Sequence, residues 1–390
     1  MFGLFKIKPP IAPKEKAWTE FRMAWLAEKF GMSRLLETPT LSPEYDGMPH
    51  VSNYEEAQLL LDFLRTWMKL DAAYVQLQVH GHVVAPDSIG TYEPEGDPTV
   101  VMIHEQDFEH RNVLVAAMAV GLARQAIAER GLQAELATDG GWTVELLPVF
   151  LGLGLFPANA TVKDAYFDTG SWSSWSVSRR GNLPSRLFGY ALALRAMVRG
   201  DTSTEWSASL RPDAQVSFEE GLRYLEKTKD TVFSRESEKL PRRRLPVEAL
   251  ADELQNGSPS RKISAMWELR DRAARQEGEP NPKVGDLLIT CIRHRESEVR
   301  QAAVEMLPYY DRSPHAAQDI ADALNDANSD VRSAAALALG AFVGVDDETL
   351  IHDLTVALQD DALEVVHGAA YSLAKFGEAA EPATCAGGQP

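Results

Sequence analysis

The chain has 390 residues, 45% of them hydrophobic and 25% charged, and a formal net charge of −18. This length allows two domains with separate cores, and the composition is typical of a soluble globular protein. No run reaches the roughly 18 apolar residues needed to cross a bilayer, and the N-terminus lacks the apolar stretch and cleavage site of a signal peptide. Cys291 and Cys385 do not suggest a disulfide framework, so we expect a cytoplasmic protein.

The negative charge is concentrated in the second half of the chain. Residues 247–390 contain 12 Lys and Arg against 25 Asp and Glu, a net charge of −13, which leaves 27 against 32, or −5, for the first 246 residues. This imbalance argues against a nucleic-acid partner, because contacts with phosphate need cations. It is compatible with a basic protein partner, and also with acidic helices that serve only solubility.

The first 226 residues predict a mixed α+β domain in which helices dominate. Apolar periodicity predicts helices at 14–31, 54–71, 112–131, 143–156, 184–200 and 217–228. Two strand-like stretches lie at 73–84 and 98–106, and a Trp-rich loop is predicted at 170–182.

Two stretches in this region carry a family resemblance. Residues 149–159 read VFLGLGLFPAN, and residues 181–194 read GNLPSRLFGYALAL. Both resemble an uncharacterised group of bacterial proteins of zincin-like, metallopeptidase-like character. In that group a strand precedes an apolar helix that bears His-Glu-x-x-His, and a later helix bears Glu-x-x-x-Asp. The resemblance implies a zincin-like α+β fold for most of the domain.

The catalytic residues of that group have no counterparts in this chain. His-Glu-x-x-His works because residues i and i+4 share a helix face, so that two imidazoles hold Zn²⁺ while the glutamate activates its water. On this sequence the two histidines fall at Val120 and Arg124, the glutamate at Gly121 and the third ligand at Gly141. Only Glu145, in the supporting place, is acidic.

No shift of the alignment restores the site, because no histidine lies between His110 and His294. A permanently cationic Arg124 would repel a metal ion. It either pairs with Glu145 or is a plain exposed arginine. The resemblance therefore implies a domain that has lost its metal and needs no cofactor.

Four upstream histidines provide an alternative, a metal-dependent hydrolase with an unfamiliar ligand set. His80 and His82 lie on one side of a strand, which suits two ligands, and His104 or Glu105 is a conceivable third. His104 and His110 lie about 240° apart around a helix, so a regular helix cannot direct both at one metal. Paired surface histidines beside a glycine turn are the more ordinary explanation of the His-Gly-His pattern.

Other enzyme signatures are missing from the sequence. There is no Gly-x-x-x-x-Gly-Lys loop, no Gly-x-Gly-x-x-Gly and no Gly-x-Ser-x-Gly elbow, and neither cysteine has a His–Asn context. Trp172 and Trp175 could stack on a ligand such as a sugar, although a tryptophan pair more often anchors a loop to the core.

After a polar, charged stretch at 227–246, which predicts a linker, the sequence repeats itself. Four segments share a turn, a branched apolar anchor, small residues and then Leu. The anchors are 36, 32 and 34 residues apart, at Ile263, Val299, Val331 and Val365. A shorter apolar helix precedes each segment, and two helices per unit at this period predict an α-solenoid.

The pattern of an acid before Val-Arg and an alanine pair after it resembles the HEAT repeat family over residues 247–380. The resemblance implies four repeats that bind a protein partner, followed by a flexible tail at 381–390. From Asp319 onward the repeats hold 13 acidic residues against two basic ones, so we expect a basic partner. The candidate contact residues are Asp322, Asp326, Asp330, Arg332, Asp360, Asp361 and Glu364.

Together these features predict a mostly α protein in two domains. An α+β zincin-like domain without metal ligands spans 1–226, and an acidic HEAT-like solenoid follows the linker. We expect a non-enzymatic binding or scaffold protein with a protein partner, and neither a nucleic acid nor a membrane as partner.

Overall fold

The computed structural model describes residues 7–70, 75–80, 99–136, 141–168, 173–179, 181–241, 245–274 and 282–386. The chain divides into two compact units. The N-terminal unit contains residues 1–12 and 19–241, and the C-terminal unit contains residues 13–18 and 242–390. Helices dominate the described residues of both units, which confirms the predicted mostly α class.

The helices up to residue 241 are α1 (Pro13–Phe30), α2 (Met32–Glu37), α3 (Tyr54–Trp67), α4 (Arg111–Glu129), α5 (Trp142–Phe150), α6 (Leu155–Ala160), α7 (Ser185–Arg199) and α8 (Pro212–Thr228). The single helix predicted over 143–156 is divided into α5 and α6. Gly152 between them has a φ of +86°, in the left-handed region that glycine tolerates, and this breaks the helix.

Two pairs of strands accompany these helices. β1 (Val75–His80) and β2 (Thr99–His104) are parallel, in a register that runs from Val75 opposite Thr99 to His80 opposite His104. β3 (Val162–Asp168) and β4 (Ser173–Arg179) are antiparallel. The prediction of a loop over residues 170–182 is therefore wrong for residues 173–179, which form β4. Its residues, SSWSVSR, alternate with the period of two that a strand requires.

Helix α4 is the buried centre of the N-terminal unit. Every residue from Leu114 to Ala123 is buried, and the helix packs against α3, α5, α6 and β2. By length and composition alone α4 could cross a membrane. However, 72% of its apolar window is buried within the protein, and the core helix of a globular domain passes the same test.

The segment after α8 remains part of the N-terminal unit up to Pro241. Two hydrogen bonds from backbone N–H groups hold it there: Val232 N donates to the Glu20 side chain at Oε2, 3.1 Å away, and Glu236 N donates to the Val198 carbonyl at 2.6 Å. Val232 and Glu236 thus tie part of the predicted linker to the N-terminal unit, while the arginine triplet at 242–244 lies outside the described residues.

Eight helices of the described C-terminal unit follow one another in four pairs. They are α9 (Val247–Asn256), α10 (Pro259–Ala274), α11 (Pro282–Ile292), α12 (Ser297–Met306), α13 (Pro314–Asp322), α14 (Ser329–Leu339), α15 (Asp347–Ala357) and α16 (Leu363–Ala386). Helix α16 continues past residue 380, where the sequence predicts the repeats to end.

The second helix of each pair carries the repeat anchor and forms a continuous core. Ile263, Val299 and Val331 are fully buried, and Val365 is 1% exposed. Helix α12 packs against both α10 and α14, and α14 packs against α16. Small side chains such as Ala303 and Ala335, both fully buried, allow neighbouring helices to approach closely.

Candidate functional site

The positions on α4 that correspond to the zincin-like ligands are tightly packed. Val120 is 1% exposed, and Gly121 faces strand β2. A Cβ atom on Gly121 would lie 2.2 Å from Cγ2 of Val101, far inside van der Waals contact. The helix and the strand therefore leave no room for a side chain at the position where the predicted alignment places the glutamate.

The remaining ligand positions do not suit a metal ion either. Arg124, one turn after Val120, is a half-buried cation. Gly141 is the residue before α5 and has a φ of +82°, so its backbone conformation itself favours glycine. Val120, Gly121, Arg124 and Gly141 do not fit a bound zinc ion.

Glu145 on α5 is an anchor for the start of α7. Its side chain is 2% exposed, and its carboxylate accepts hydrogen bonds from Asn182 N at 2.9 and 3.1 Å and from Leu183 N at 2.9 Å. Hydrogen bonds to an ionised acceptor are stronger than neutral ones. Glu145, the one acidic residue at the positions of the predicted pattern, thus fixes the backbone just before α7.

We expect Glu145→Gln to destabilise the N-terminal unit by about 1–3 kcal/mol, because a neutral amide replaces a buried carboxylate that accepts hydrogen bonds from two backbone N–H groups. Hydrogen exchange of peptides from α5 and α7 measures the local loss of protection. Glu226→Gln, at an exposed position on α8, should stay within about 0.5 kcal/mol of the unmodified chain. Equal protection in the two variants would contradict the anchoring role.

The histidines of the alternative metal site lie near the ends of β1 and β2. His80 is the last residue of β1 and lies opposite His104, the last residue of β2. His110 is exposed just before α4, and His82 lies outside the described residues. Among the residues that the structure describes, no three His, Cys, Asp or Glu side chains form a group that could hold a metal ion.

The two apolar stretches that carry the resemblance are core structure. Phe150 and Phe156 in the first stretch, and Leu187 and Phe188 in the second, are all fully buried. Trp175 lies opposite Tyr166 in the β3–β4 hairpin, while Trp172 lies outside the described residues. Stacking of these tryptophans on a sugar stays a prediction.

A buried cation that the sequence did not suggest lies on α7. Arg195 is 1% exposed and donates to the Phe150 carbonyl at 3.4 Å, to Thr40 Oγ1 at 2.6 Å and to the Thr38 carbonyl. Burial, and secondly the charge of Arg199, lower the pKa of Arg195 to about 9, so it remains a cation at neutral pH. It ties the segment after α2 to the end of α5.

Three of the predicted partner contacts form ion pairs between repeats in which both side chains are mostly buried. Arg332 on α14 contacts Asp360 before α16 through two hydrogen bonds of 2.8 Å, and Arg300 on α12 contacts Asp326 before α14 at 2.7 and 2.8 Å. The side chains of these four residues are 13–17% exposed. Asp326 thus joins the second repeat to the third, and Arg332 with Asp360 joins the third to the fourth.

The other predicted contacts are carboxylates on the surface. Asp322, Asp330 and Glu364 are exposed, and the Asp361 side chain is 91% exposed although it also accepts a hydrogen bond from Arg332 at 2.7 Å. These four side chains remain accessible to a partner. The pattern that identified them also selected the ion-paired residues, because both kinds of acid lie next to the turns of the repeats.

The comparison with protein families agrees with the geometry of the C-terminal unit. The family described as HEAT repeats matches residues 247–340 and 317–385. No curated protein matches the chain in sequence. The helix pairs, the buried anchors and this match together lead to one conclusion: residues 247–385 of the chain are HEAT repeats.

Proposed function

We propose that the chain is a non-enzymatic scaffold protein whose HEAT repeats hold a protein partner. A solenoid of helix pairs presents an extended surface that suits binding rather than catalysis. In this proposal the N-terminal unit is a zincin-like, metallopeptidase-like domain without catalytic residues, and serves as a second recognition surface. The observation that carries the non-enzymatic proposal is the close approach of Val101 to Gly121, which leaves no room for a glutamate side chain at this position.

The exposed carboxylates of the repeats support a partner with basic groups. Asp322 and Asp330 lie on the third repeat, Asp361 and Glu364 lie on the fourth, and all four are accessible. Attraction over a surface of one charge sign accelerates association with a partner of the opposite sign, and salt screens it. We therefore propose that a basic partner would associate more slowly as the salt concentration rises.

The metal content of the purified chain tests the non-enzymatic proposal. Elemental mass spectrometry in chelator-free buffer should find essentially no bound zinc, because the four positions on α4 and before α5 carry no ligand. The zinc content is then measured again after the chain has been incubated with excess zinc and the free metal has been removed. A stoichiometry near one zinc per chain would overturn the proposal.

The alternative function is a metal-dependent hydrolase that uses His80, His82, His104 and His110. One observation favours it: His80 and His104 lie opposite each other at the ends of two parallel strands. Replacing both with alanine would abolish any zinc found in the preceding experiment if these residues are ligands. Retention of the metal by that variant would exclude this ligand set.

A further inference from the structure

A groove of about 410 Å³ lies over the second helices of the repeats, within the C-terminal unit. Alanines of α14 form part of its lining, and two large apolar side chains remain open to solvent there. Leu337 is 47% exposed, and Tyr309, just after α12, is 48% exposed. Single exposed apolar residues are ordinary on a protein surface, but two in one concavity are typical of a binding site.

The groove also carries cations, in a region with a net charge of −13. Arg270, Arg312 and Lys375 line it, with Glu305 as the carboxylate among its lining residues. The Arg312 Nε donates to the Pro308 carbonyl at 3.0 Å, and Lys375 Nζ lies 4.7 Å from the ring centre of Tyr371. Neither contact neutralises the charge, and Glu305 accepts a hydrogen bond from Gln301.

Six other arginines of the described repeats are neutralised by carboxylates. The ion pairs are Arg261 with Glu253, Arg272 with Glu268, Arg293 with Asp319, Arg295 with Glu296, Arg300 with Asp326, and Arg332 with Asp360. Within the described part of the chain, Arg270, Arg312 and Lys375 have no carboxylate partner, and all three line the same groove.

We propose that this groove binds an acidic peptide segment of a partner protein, in which apolar side chains are flanked by Asp or Glu. The apolar side chains pack on Leu337 and Tyr309, and the carboxylates pair with Arg270, Arg312 and Lys375. This peptide site specifies one contact of the protein-binding function proposed above, and the inference rests on that function. The exposed carboxylates form a different surface, so one partner can use both.

A short peptide fits these charges better than a nucleic acid does. Each phosphate of a nucleic acid adds a negative charge, and binding needs many cations along its length. The chain as a whole carries −18 and would repel such a polyanion. A segment with a few carboxylates needs only the three local cations.

Fluorescence anisotropy with the full chain tests the proposal. The probe is a fluorescein-labelled peptide of about twelve residues, with a Leu-Phe pair between runs of Glu and Asp. One matched peptide has Lys in place of the acids, and another has Ala in place of Leu and Phe. We expect the acidic apolar peptide to bind with a micromolar Kd, which corresponds to about −8 kcal/mol, and each matched peptide to bind at least about fivefold more weakly.

Charge reversal locates the binding. Arg270→Glu and Lys375→Glu should each weaken binding of the acidic peptide at least about fivefold, with unchanged thermal unfolding. Arg295→Glu is the matched control, because Arg295 is 69% exposed on the repeats, outside the groove lining, and should have little effect. The proposal is overturned by no binding, by an equal effect of the control, or by tighter binding of the Lys peptide or of single-stranded DNA. The proposed function fails on a separate result, the presence of zinc.

Discussion

Replacing Gly121 with alanine should destabilise the N-terminal unit by about 1–3 kcal/mol. In most helices this change is favourable by up to about 1 kcal/mol, because alanine is the better helix former. Here the added Cβ would lie 2.2 Å from Val101 Cγ2, and Val101 is itself 1% exposed, so relief of this overlap requires a shift within the core. Overpacking of this kind costs about 1–3 kcal/mol. Hydrogen exchange of peptides from β2 and α4 measures the loss.

The sign of the effect separates packing from helix propensity. Gly285 lies within α11, and a Cβ there would meet only Asp311 Cβ at 3.7 Å, an ordinary contact. Gly285→Ala should therefore stabilise the C-terminal unit by up to about 1 kcal/mol. A stabilising effect of Gly121→Ala would contradict the conclusion that α4 and β2 pack too closely to accept a side chain at this position.

A double variant tests the named contact directly. Val101→Ala alone should destabilise, because it leaves a cavity in the core. In the double variant the cavity accommodates the methyl group that Gly121→Ala adds. The loss of stability in the double variant should therefore be smaller than the sum of the losses in the two single variants. Residues in contact deviate from additivity by about 0.5–3 kcal/mol. Strict additivity would contradict the contact, and with it the principal support for the proposal that the N-terminal unit is non-enzymatic.

The sequence predicted the repeats well because their signal is local and periodic. Anchors such as Val299 and Val331 recur at a nearly constant spacing, and each must be buried for two helices to pack. The same pattern did not separate ion-paired acids from free ones. Asp326 and Asp330 lie four residues apart at the same turn. Asp326 differs from Asp330 in its contact with Arg300, a residue of the preceding repeat.

The N-terminal unit was predicted less completely, because its decisive contacts join distant parts of the chain. The absence of metal ligands at Val120 and Arg124 is visible in the sequence, but the closure of the position beside Gly121 depends on strand β2. Arg195 lies in an apolar run that predicts a buried helix, and no local signal shows that its charge meets the carbonyls of Thr38 and Phe150.

The groove was missed for a related reason. Its cations, Arg270, Arg312 and Lys375, come from separate repeats and are outnumbered by nearby acids along the chain. A count of charges therefore predicted a basic partner. Only the stacking of α10, α12, α14 and α16 brings these cations to one face, where none of them pairs with a carboxylate of the described residues.

The second large effect concerns the ion pairs between repeats. Arg332→Ala should destabilise the C-terminal unit by about 2–4 kcal/mol. Arg332 donates twice to Asp360 at 2.8 Å, once to Asp361 at 2.7 Å and once to the Asp326 carbonyl at 3.1 Å. Its loss leaves Asp360, whose side chain is 13% exposed, without a cation, and unpaired charges of this kind are costly. Urea unfolding of the chain, followed by hydrogen exchange of α14 and α16, measures the change.

Two variants control for charge and for exposure. Arg332→Lys keeps the positive charge but cannot form the two parallel hydrogen bonds, so it should recover less than the full stability. Arg295→Ala removes an arginine whose side chain is 69% exposed and should change stability by no more than about 0.5 kcal/mol. Equal losses for Arg295→Ala and Arg332→Ala would show that the contact between repeats adds nothing beyond a surface ion pair.

The same pairs make the repeats sensitive to acid. Hydrogen bonds from Arg332 and Arg300 lower the pKa of Asp360 and Asp326 below the ordinary value of 3.8. A carboxyl whose pKa is lower in the folded state than in the unfolded state stabilises the fold above the unfolded pKa, and this stability is lost as the pH falls below it. The stability of α14 and α16 should therefore fall as the pH drops from about 5 toward 2. Arg332→Ala removes the main cause of the lowered pKa of Asp360, so its stability should depend less on pH over this range. Parallel curves for the two proteins would show that Arg332 does not hold Asp360 ionised.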